Sequence, residues 1–244
     1  MQALLLAGKE YVCVMKLHGD APETKVKQVL EEFQTTLYQR PPVRSAVKRQ
    51  LRTRTIYYNQ FIEMVDQKVL FKVGCEAGTY IRKLCYDIGE VLGTGAQMQE
   101  LRRTRAGPFV EDKTLVTLHD LSYLYNKYKE TQDETILRNF VSPMEKAFAY
   151  IPKLTVRDSA VDALCHGAHL TAPGVVALDS GINIGDPVAV FTLKGEVIAL
   201  SKAYVSSEKL LKMDHGFVAK THKVFMPRGI YPKKWHTNQI KQDL

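Results

Sequence analysis

Long apolar runs, sequence repeats and a secretory leader are among the features that this sequence lacks. No stretch approaches the roughly 18 continuous apolar residues that a membrane-spanning helix needs. The apolar segment Ala3–Ala7 is too short for a signal-peptide core and has no basic leader. No low-complexity segment is present. We therefore expect a soluble, intracellular protein that does not associate with a membrane.

Clustered cysteines are also missing. No Cys-x-x-Cys pair occurs, although disulfide frameworks and zinc fingers both need such close grouping. His166 and His169 stand close together, but no cysteine or carboxylate cluster accompanies them to complete a metal site. We expect no metal ion, and we expect buried, reduced thiols at Cys13, Cys75, Cys85 and Cys165.

The composition is that of an ordinary globular protein. Hydrophobic residues make up 45% and charged residues 25% of the 244 residues, which excludes a disordered chain, a collagen and a coiled coil. This length corresponds to one large domain or two modest ones.

Acidic residues are absent from two long stretches of a chain whose net charge is +8. Arg40–Arg54 and Gly216–Gln242 each contain six basic residues and no acid. Protein surfaces normally mix both signs of charge, and a single run of this kind indicates only a solvated basic face. Two such runs favour a nucleic-acid partner because aromatic residues accompany them, namely Tyr57, Tyr58, Tyr231 and Trp235.

The first part of the chain mixes strands and helices. A capping-box pattern at Asp20–Glu23 predicts a helix that begins there. A stripe of apolar residues every three or four positions predicts a second helix that ends at Gly93. Alternating apolar residues and turn signals predict the strands Glu10–His18, Thr55–Val65 and Lys68–Glu76, the last two as a hairpin turning at Asp66-Gln67.

The sequence pattern changes from mixed helices and strands to short strands after the dipeptide Ile151-Pro152, which is a plausible domain boundary. Before it, the spacing of apolar residues predicts helices over Leu118–Lys129 and Glu134–Ala149. After it, a short helix over Ser159–His166 is followed by valine-rich strands with glycine turns. This spacing predicts a small β-barrel or sandwich.

Three clusters contain residue types that could take part in catalysis or binding. Lys9–Tyr11 enters a buried strand, Gly78–Arg82 joins a strand to a helix, and Leu101–Phe109 is a basic edge strand closed by Gly-Pro. Arg82 would lie at the positive end of a helix, which disfavours a cation unless an anion faces it. Each cluster taken singly has an ordinary structural explanation.

The three clusters resemble the TruB/dyskerin family of RNA pseudouridine synthases when they are taken together with two further segments, Arg40–Pro42 and Ser45–Lys48. The order of these segments along the chain also resembles that of the family. The resemblance is strongest to the archaeal and eukaryotic branch, the catalytic subunit of H/ACA guide-RNA particles. Residues from Leu154 to Pro227 resemble the PUA domain of that branch, and the whole resemblance runs from about Gly8 to Trp235.

The resemblance implies an α+β fold with two domains and a tail. Residues 1–150 would form part of a pseudouridine synthase catalytic domain, a mixed and mainly antiparallel sheet with helices. Residues 153–228 would form a β-barrel PUA domain that binds RNA, and residues 229–244 a basic tail.

The resemblance also implies roles for individual residues. Uridine is flipped out of the RNA stack, and an aspartate nucleophile attacks it without a cofactor or metal. Tyr11 would stack on the flipped base and assist proton removal, and Arg82 would pair with the aspartate. Tyr80 and Leu101 would support and wall the pocket. The segment Arg44–Arg54 would be a mobile loop that grips RNA, within an RNA-binding set of Lys9, Arg44, Lys48, Arg49, Arg52, Arg54, Arg102, Arg103, Gly167, Ala168, His169 and Arg228.

One departure from the family concerns the nucleophile. In the family this aspartate belongs to a Gly-Thr-Leu-Asp-Pro motif that lies ahead of the Lys-x-Tyr segment. No Leu-Asp-Pro occurs in this chain, and Thr117–Asp120 is the nearest imitation. We therefore expect a fragment, or a gene model with a late start, that is inactive alone. A non-catalytic RNA-binding scaffold is the alternative function. A methyltransferase is disfavoured because Gly93-x-Gly95 follows a helix rather than a strand.

Partners and location follow from the same resemblance. It implies guide RNA, whose 3′ ACA end the PUA domain would hold, and substrate rRNA or tRNA. It also implies small protein subunits, one zinc-bearing and one rich in glycine and arginine. No DNA partner is expected. The location would be the cytoplasm of an archaeon, which we favour, or the nucleolus of a eukaryote.

Overall fold

A computed structural model describes residues 2–5, 7–41 and 48–233 of the chain. Arg44 and most of the tail 229–244 lie outside the described residues. The chain divides into two compact units, Met1–Val141 and Ser142–Leu244. Among the described helices, none combines the length and the apolar character that a bilayer crossing requires.

The first unit is built on one six-stranded antiparallel sheet, in the order β2-β3-β4-β1-β5-β6. Its elements are α1 (Gln2–Leu5), β1 (Lys9–Leu17), α2 (Glu23–Glu32), β2 (Thr36–Gln39), β3 (Arg52–Val65), β4 (Lys68–Cys75), α3 (Ile81–Leu92), β5 (Ala96–Ala106), β6 (Phe109–Val110), α4 (Leu118–Thr131) and α5 (Thr135–Arg138).

The hairpin predicted between Thr55 and Glu76 is present as β3 and β4. The chain turns at Asp66, whose φ of 52° is a left-handed conformation that aspartate tolerates. β3 begins at Arg52, earlier than the alternation of apolar residues indicated, because its first residues pair with β2 rather than with β4. The predicted mobile loop Arg44–Arg54 is therefore wrong at its end, since Arg52 and Arg54 lie in a strand.

The core of this unit forms where α2 and α3 cover the sheet. The stripe predicted on α3 is buried against β1 and β5, except that Val91 is 52% exposed. Gly93 ends the helix with a φ of 78°, as its position predicted. The buried members of the stripe are Ile81, Leu84, Cys85, Ile88 and Leu92.

Two local predictions are wrong. The capping box at Asp20–Glu23 does not form, because α2 begins after Pro22 without a side-chain cap. The helix predicted over Glu134–Ala149 is broken into α5 and a 3₁₀ helix over Met144–Phe148. Pro143 explains the break, because proline lacks the N–H that a continuous helix needs and disfavours a helical residue before it.

The second unit is a small β structure with its own core. Its sheet runs β8-β12-β11-β10-β7-β9, and only β7 and β10 pair in parallel. The elements are the 3₁₀ helix Met144–Phe148, β7 (Lys153–Val156), α6 (Asp158–Cys165), β8 (Leu170–Thr171), a 3₁₀ helix (Ala172–Gly174), β9 (Val175–Leu178), β10 (Pro187–Phe191), β11 (Val197–Ala203), α7 (Ser207–Leu210) and β12 (Phe217–Val224).

Residues ahead of the predicted boundary at 150–153 belong to this second unit. The ring of Phe148 meets that of Phe225 at a centroid distance of 5.1 Å. The carboxylate of Glu145 accepts a hydrogen bond from the Val197 N–H at 3.1 Å. The overall α+β class, with a mainly antiparallel sheet followed by a compact barrel-like unit, is confirmed.

The close approach of α3 to β5 generates a first prediction. Glycine-to-alanine substitution within a helix normally stabilises it by about 1 kcal/mol. A Cβ on Gly89, however, would lie 2.1 Å from the backbone nitrogen of Ala96. We expect Gly89→Ala to lower the free energy of unfolding by about 1–3 kcal/mol, measured by chemical denaturation.

Gly19→Ala is the matched control in the same unit, because its added Cβ meets Thr94 at an ordinary 3.7 Å. An equal loss of stability in both variants would contradict the packing argument.

Candidate functional site

The junction between β4 and α3 is a tight turn built around Gly78. Its φ of 82° favours glycine, and the guanidinium of Arg54 lies 3.3 Å from where a Cβ would stand. The same guanidinium is 3.5 Å from the carboxylate of Glu76. Glu76 also accepts a hydrogen bond from the Thr55 N–H at 3.1 Å. Residues of β3 thus hold the turn that leads into α3.

A buried glutamine fixes the residue from which α3 begins. Tyr80 is the N-cap of α3, and its N–H donates to the Gln39 side-chain oxygen at 2.9 Å. The Gln39 amide nitrogen donates back to the Tyr80 carbonyl at 3.3 Å. Gln39 is 1% exposed, so a lost partner would leave a buried polar group unsatisfied. Sequence reasoning missed Gln39, because no local pattern marks it.

The helix α3 runs in the same direction as β1. The Sγ atoms of Cys13 and Cys85 lie 3.6 Å apart near the middle of both elements. At the carboxyl end of both, the Gly95 carbonyl accepts a hydrogen bond from the His18 N–H at 3.0 Å. The amino end of α3 therefore lies at the same end of the sheet as the start of β1.

This arrangement places Arg82 and Tyr11 at the same end of the sheet. Arg82 is one helical turn before Cys85, and Tyr11 precedes Cys13 on the same face of β1. The Arg82 side chain is exposed and makes no ion pair or hydrogen bond with any residue in the described ranges. A cation at this helix end is thus available to an incoming anion.

Tyr11 faces Arg103 across the ladder between β1 and β5. Burial raises the pKa of the Tyr11 phenol, and the Cys75 thiol adds to the rise, whereas a hydrogen bond from Arg103 opposes it. The phenol is therefore neutral at pH 7. The register shifts at this point: Glu10 pairs with Arg105, whereas the next residue, Tyr11, pairs with Arg103. Thr104, which lies between the two arginines, therefore has no paired residue on β1 and forms a bulge.

Glu10 anchors a polar network beside that bulge. Its carboxylate accepts hydrogen bonds from the Tyr58 hydroxyl at 2.5 Å and from the Thr104 hydroxyl at 2.7 Å, and Lys72 lies 3.8 Å away. Arg105 donates to the Tyr58 hydroxyl at 3.2 Å. The Tyr58 ring covers Gly74, where a Cβ would lie 2.3 Å from the ring. The Lys-Glu-Tyr cluster could have suggested this glutamate, but only the fold shows its partners.

Leu101 lines a depression whose wall includes neither Arg82 nor Tyr11. It is 40% exposed and pairs with Cys13. The depression has a volume of about 580 Å³. Its wall consists of Val12, Val14, Leu70, Glu100, Leu101 and Arg102.

Several cations predicted to bind RNA have protein partners. The Lys9 ammonium donates to the carbonyls of Leu4, Leu5 and Ala7 at 2.6–2.9 Å and so closes the end of α1. Arg102 forms a two-bond ion pair with Glu111, and Arg49 donates to the Pro41 carbonyl at 3.2 Å. Lys48 and Arg228 are exposed and make no such contact with any of the described residues.

In the second unit, the segment between α6 and β8 forms a shallow exposed surface. Gly167 follows the C-cap of α6 with a φ of 88°, so it ends the helix as a glycine commonly does. Ala163, His166, Gly167 and Ala168 line a depression of about 340 Å³. The Thr221 hydroxyl donates to the Ala168 carbonyl at 2.6 Å and holds this segment against β12.

The four thiols are buried, as predicted. Burial raises the pKa of Cys75 to about 11 and, together with the Cys13 contact, raises that of Cys85. Neither thiol is a nucleophile at neutral pH. Across the described ranges, no group of three or more histidine, cysteine or carboxylate side chains could hold a metal ion.

Known protein families match the chain in three consecutive parts. The amino-terminal domain of TruB family pseudouridylate synthases matches residues 18–81, the carboxyl-terminal domain of tRNA pseudouridylate synthase B matches residues 82–149, and the PUA domain matches residues 152–225. The probable tRNA pseudouridine synthase B of Pyrococcus abyssi is 55% identical over 235 residues, which cover 96% of this chain and 70% of that protein. The chain belongs to the TruB family of pseudouridine synthases.

Other members of the TruB family show the same extent of similarity. The probable tRNA pseudouridine synthase B of Methanosarcina barkeri is 54% identical over 96% of this chain and 69% of its own length. A crystal structure of a Cbf5-Nop10-Gar1 complex matches with a TM-score of 0.91 and 55% identity, over 95% of this chain and 70% of the matched chain. A structure of an H/ACA RNP bound to a substrate RNA containing 2′-deoxyuridine matches with a TM-score of 0.87 and 51% identity, over 96% and 71%.

The Glu10 network generates a pH-dependent prediction. Burial alone would raise the pKa of the Glu10 carboxyl, but hydrogen bonds from Tyr58 and Thr104 lower it below the unfolded value of 4.5. Its contribution to stability is complete above that pH and is lost as the pH falls through the folded pKa. We expect Glu10→Gln to be less stable than wild type at neutral pH, with a gap that narrows below pH 4.5.

Urea denaturation over a pH series measures this gap. Glu63→Gln, at an exposed position on β3, is the matched control and should change stability little at any pH. A gap for Glu10→Gln that stays constant as the pH falls would refute the role of the ionised carboxylate.

Proposed function

We propose that this chain is the pseudouridine synthase component of a guide-RNA particle. Membership of the TruB family supports the reaction class, which is the isomerisation of uridine in RNA. The close structural relatives come from a Cbf5-Nop10-Gar1 complex and from an H/ACA RNP with substrate RNA. The partners would therefore be an H/ACA guide RNA, a substrate rRNA or tRNA, and small protein subunits of these kinds. Relatives in Pyrococcus and Methanosarcina support an archaeal, cytoplasmic setting.

The observation that best supports a catalytic role is the exposed Arg82, which has no partner among the described residues and lies at the same end of the sheet as Tyr11. A uridine flipped from its stack would lie against the Tyr11 ring. The Arg82 guanidinium would pair with the nucleophilic carboxylate and hold it ionised, because a nearby opposite charge lowers the pKa of a carboxyl. The neutral Tyr11 phenol would assist proton removal, and Tyr80, clamped by Gln39, would support the start of α3. The family resemblance also assigns Leu101 to the wall of the base pocket, although in this structure Leu101 lines the depression beside Val12 and Leu70.

The nucleophile itself has no counterpart in this sequence. The Gly-Thr-Leu-Asp-Pro motif that carries it in the family is absent. Thr117–Asp120 does not replace it, because Thr117 is the N-cap of α4 and its N–H and hydroxyl both donate to the Asp120 carboxylate in a capping box. We therefore propose that the polypeptide 1–244 binds RNA and arranges Tyr11 and Arg82, but has no turnover alone. A purely RNA-binding scaffold is the alternative that the missing aspartate favours.

Adding the missing motif tests this proposal. The purified chain with guide and substrate RNA should give no pseudouridine, measured by nucleoside chromatography. Supplying a polypeptide segment that contains Gly-Thr-Leu-Asp-Pro should restore turnover, and Arg82→Ala should then lower it at least about a thousandfold by removing the carboxylate's partner. Guide-RNA affinity should stay close to that of wild type.

Arg138→Ala is the control, since it removes an exposed arginine on α5 that pairs only with Glu134. Turnover by the chain without the added segment would overturn the assignment of the mechanism. RNA binding without turnover after the segment has been supplied would favour the scaffold. Equal loss of turnover and affinity in Arg82→Ala would make Arg82 a structural or phosphate-binding residue.

The second unit would hold the 3′ ACA end of the guide RNA. The match to the PUA domain and the shallow surface at Gly167 and Ala168 support this role. Small residues there would let RNA approach the backbone, with His169 beside them. Arg228 is exposed, and it would contribute a phosphate contact.

A single substitution on that surface tests the docking site. Ala168→Glu places a carboxylate where phosphates would approach, so we expect guide-RNA affinity to fall about tenfold or more through like-charge repulsion. The melting temperature of the full chain should change little, because the Ala168 side chain is exposed.

Ala168→Ser, which adds a small neutral group, should bind RNA nearly as well as wild type. If Ala168→Glu folds normally and binds an ACA end with unchanged affinity, the docking surface lies elsewhere.

A further inference from the structure

An exposed aromatic ring stands beside the surface at Gly167 and Ala168. Phe217 is the first residue of β12, pairs with Thr171 of β8, and is 65% exposed. Its ring centroid lies 6.3 Å from that of His169, with the two planes inclined by 72°. This edge-to-face geometry is a favourable one for aromatic pairs and sets the orientation of both rings. Most of the Phe217 side chain nevertheless remains open to solvent.

The ring belongs to the same small surface as the depression at the end of α6. His169 continues an exposed run from His166 through Gly167 and Ala168. The same strand that presents Phe217 also holds this run in place, because the Thr221 hydroxyl donates to the Ala168 carbonyl. The aromatic ring and the depression are therefore fixed relative to each other by the short ladder between β8 and β12.

The strand that begins with this ring also carries exposed positive charge. Lys220 and Lys223 are exposed further along β12, and the sequence from Gly216 to Gln242 contains no acidic residue. Isolated exposed apolar residues are common and carry no meaning by themselves. An oriented aromatic ring beside a segment of small residues, on a strand that carries exposed lysines, instead matches the way in which proteins bind single-stranded nucleic acid, with bases stacked on rings and phosphates near lysines.

We propose that Phe217 is a stacking platform for one unpaired nucleobase of the RNA that the second unit holds. The base would lie on the exposed face of the Phe217 ring, and His169 would keep that ring in position. Lys220 and Lys223 would neutralise the neighbouring phosphates. This inference rests on the proposed function, since it assigns a base-binding position to the RNA surface proposed above.

Binding of the full chain to an RNA hairpin with a single-stranded 3′ ACA end tests the platform. Stacking on one aromatic residue is typically lost on alanine substitution, so Phe217→Ala should weaken binding roughly tenfold. Phe217→Trp should retain the affinity. Phe217→Leu keeps an apolar, strand-compatible side chain without a ring, and it should bind as weakly as Phe217→Ala. Leu193→Ala removes a similarly exposed apolar side chain in the turn between β10 and β11, and it should bind like wild type.

Salt and abasic RNA separate stacking from charge. The loss of RNA affinity in Phe217→Ala should persist as the salt concentration rises, and the slope of log affinity against log salt concentration should be that of wild type. Lys220→Ala should reduce this slope, because it removes a phosphate contact. Replacing the stacked nucleotide by an abasic one should abolish the difference between wild type and Phe217→Ala. That coupling should occur at one nucleotide position.

Three results would overturn the platform. Wild-type affinity in Phe217→Leu, or the absence of coupling to any base, would remove Phe217 from the interface while leaving the proposed function intact. Equal binding of wild type to the ACA end and to a scrambled end would instead refute the proposed RNA role of this unit, and the platform with it.

Discussion

Close packing of α3 against β1 and β5 is the contact on which the rest of the first unit depends. Gly89 lets the helix backbone approach Ala96 so closely that no side chain fits between them. The contact between the Cys13 and Cys85 thiols then aligns the helix with the strand. Because the two elements run in the same direction, their amino ends meet. Arg82 and Tyr11, which come from distant parts of the sequence, lie at the same end of the sheet for this reason.

Local sequence patterns predicted much of this arrangement. The apolar stripe of α3 and its glycine stop, the β3–β4 hairpin and the strand β1 all follow from short-range periodicity and turn chemistry. The order of the charged and aromatic clusters indicated the family. The break at Pro143 was equally visible in the sequence, but apolar spacing alone suggested a helix that proline interrupts.

The contacts that organise the site could not be predicted, because they join residues far apart in the chain. Gln39 meets Tyr80, and Glu10 meets both Tyr58 and Thr104, through side-chain hydrogen bonds that leave no periodic trace. Charge counts alone do not show which cations have partners within the protein. Arg102, which was counted toward RNA binding, forms an ion pair with Glu111. Only the fold distinguishes the two uses.

The paired hydrogen bonds between Gln39 and Tyr80 have a thermodynamic consequence. They tie β2 to the first turn of α3, and Arg54 of β3 adds a second tie through Glu76, at the turn that leads into the helix. If RNA binding at Arg52 and Arg54 stabilises the pairing of β2 with β3, the same free energy stabilises the helix start that presents Arg82. Linkage is reciprocal, so an anion bound at Arg82 would tighten the grip on RNA by the same factor. RNA binding and assembly of the site are then thermodynamically coupled, and each favours the other.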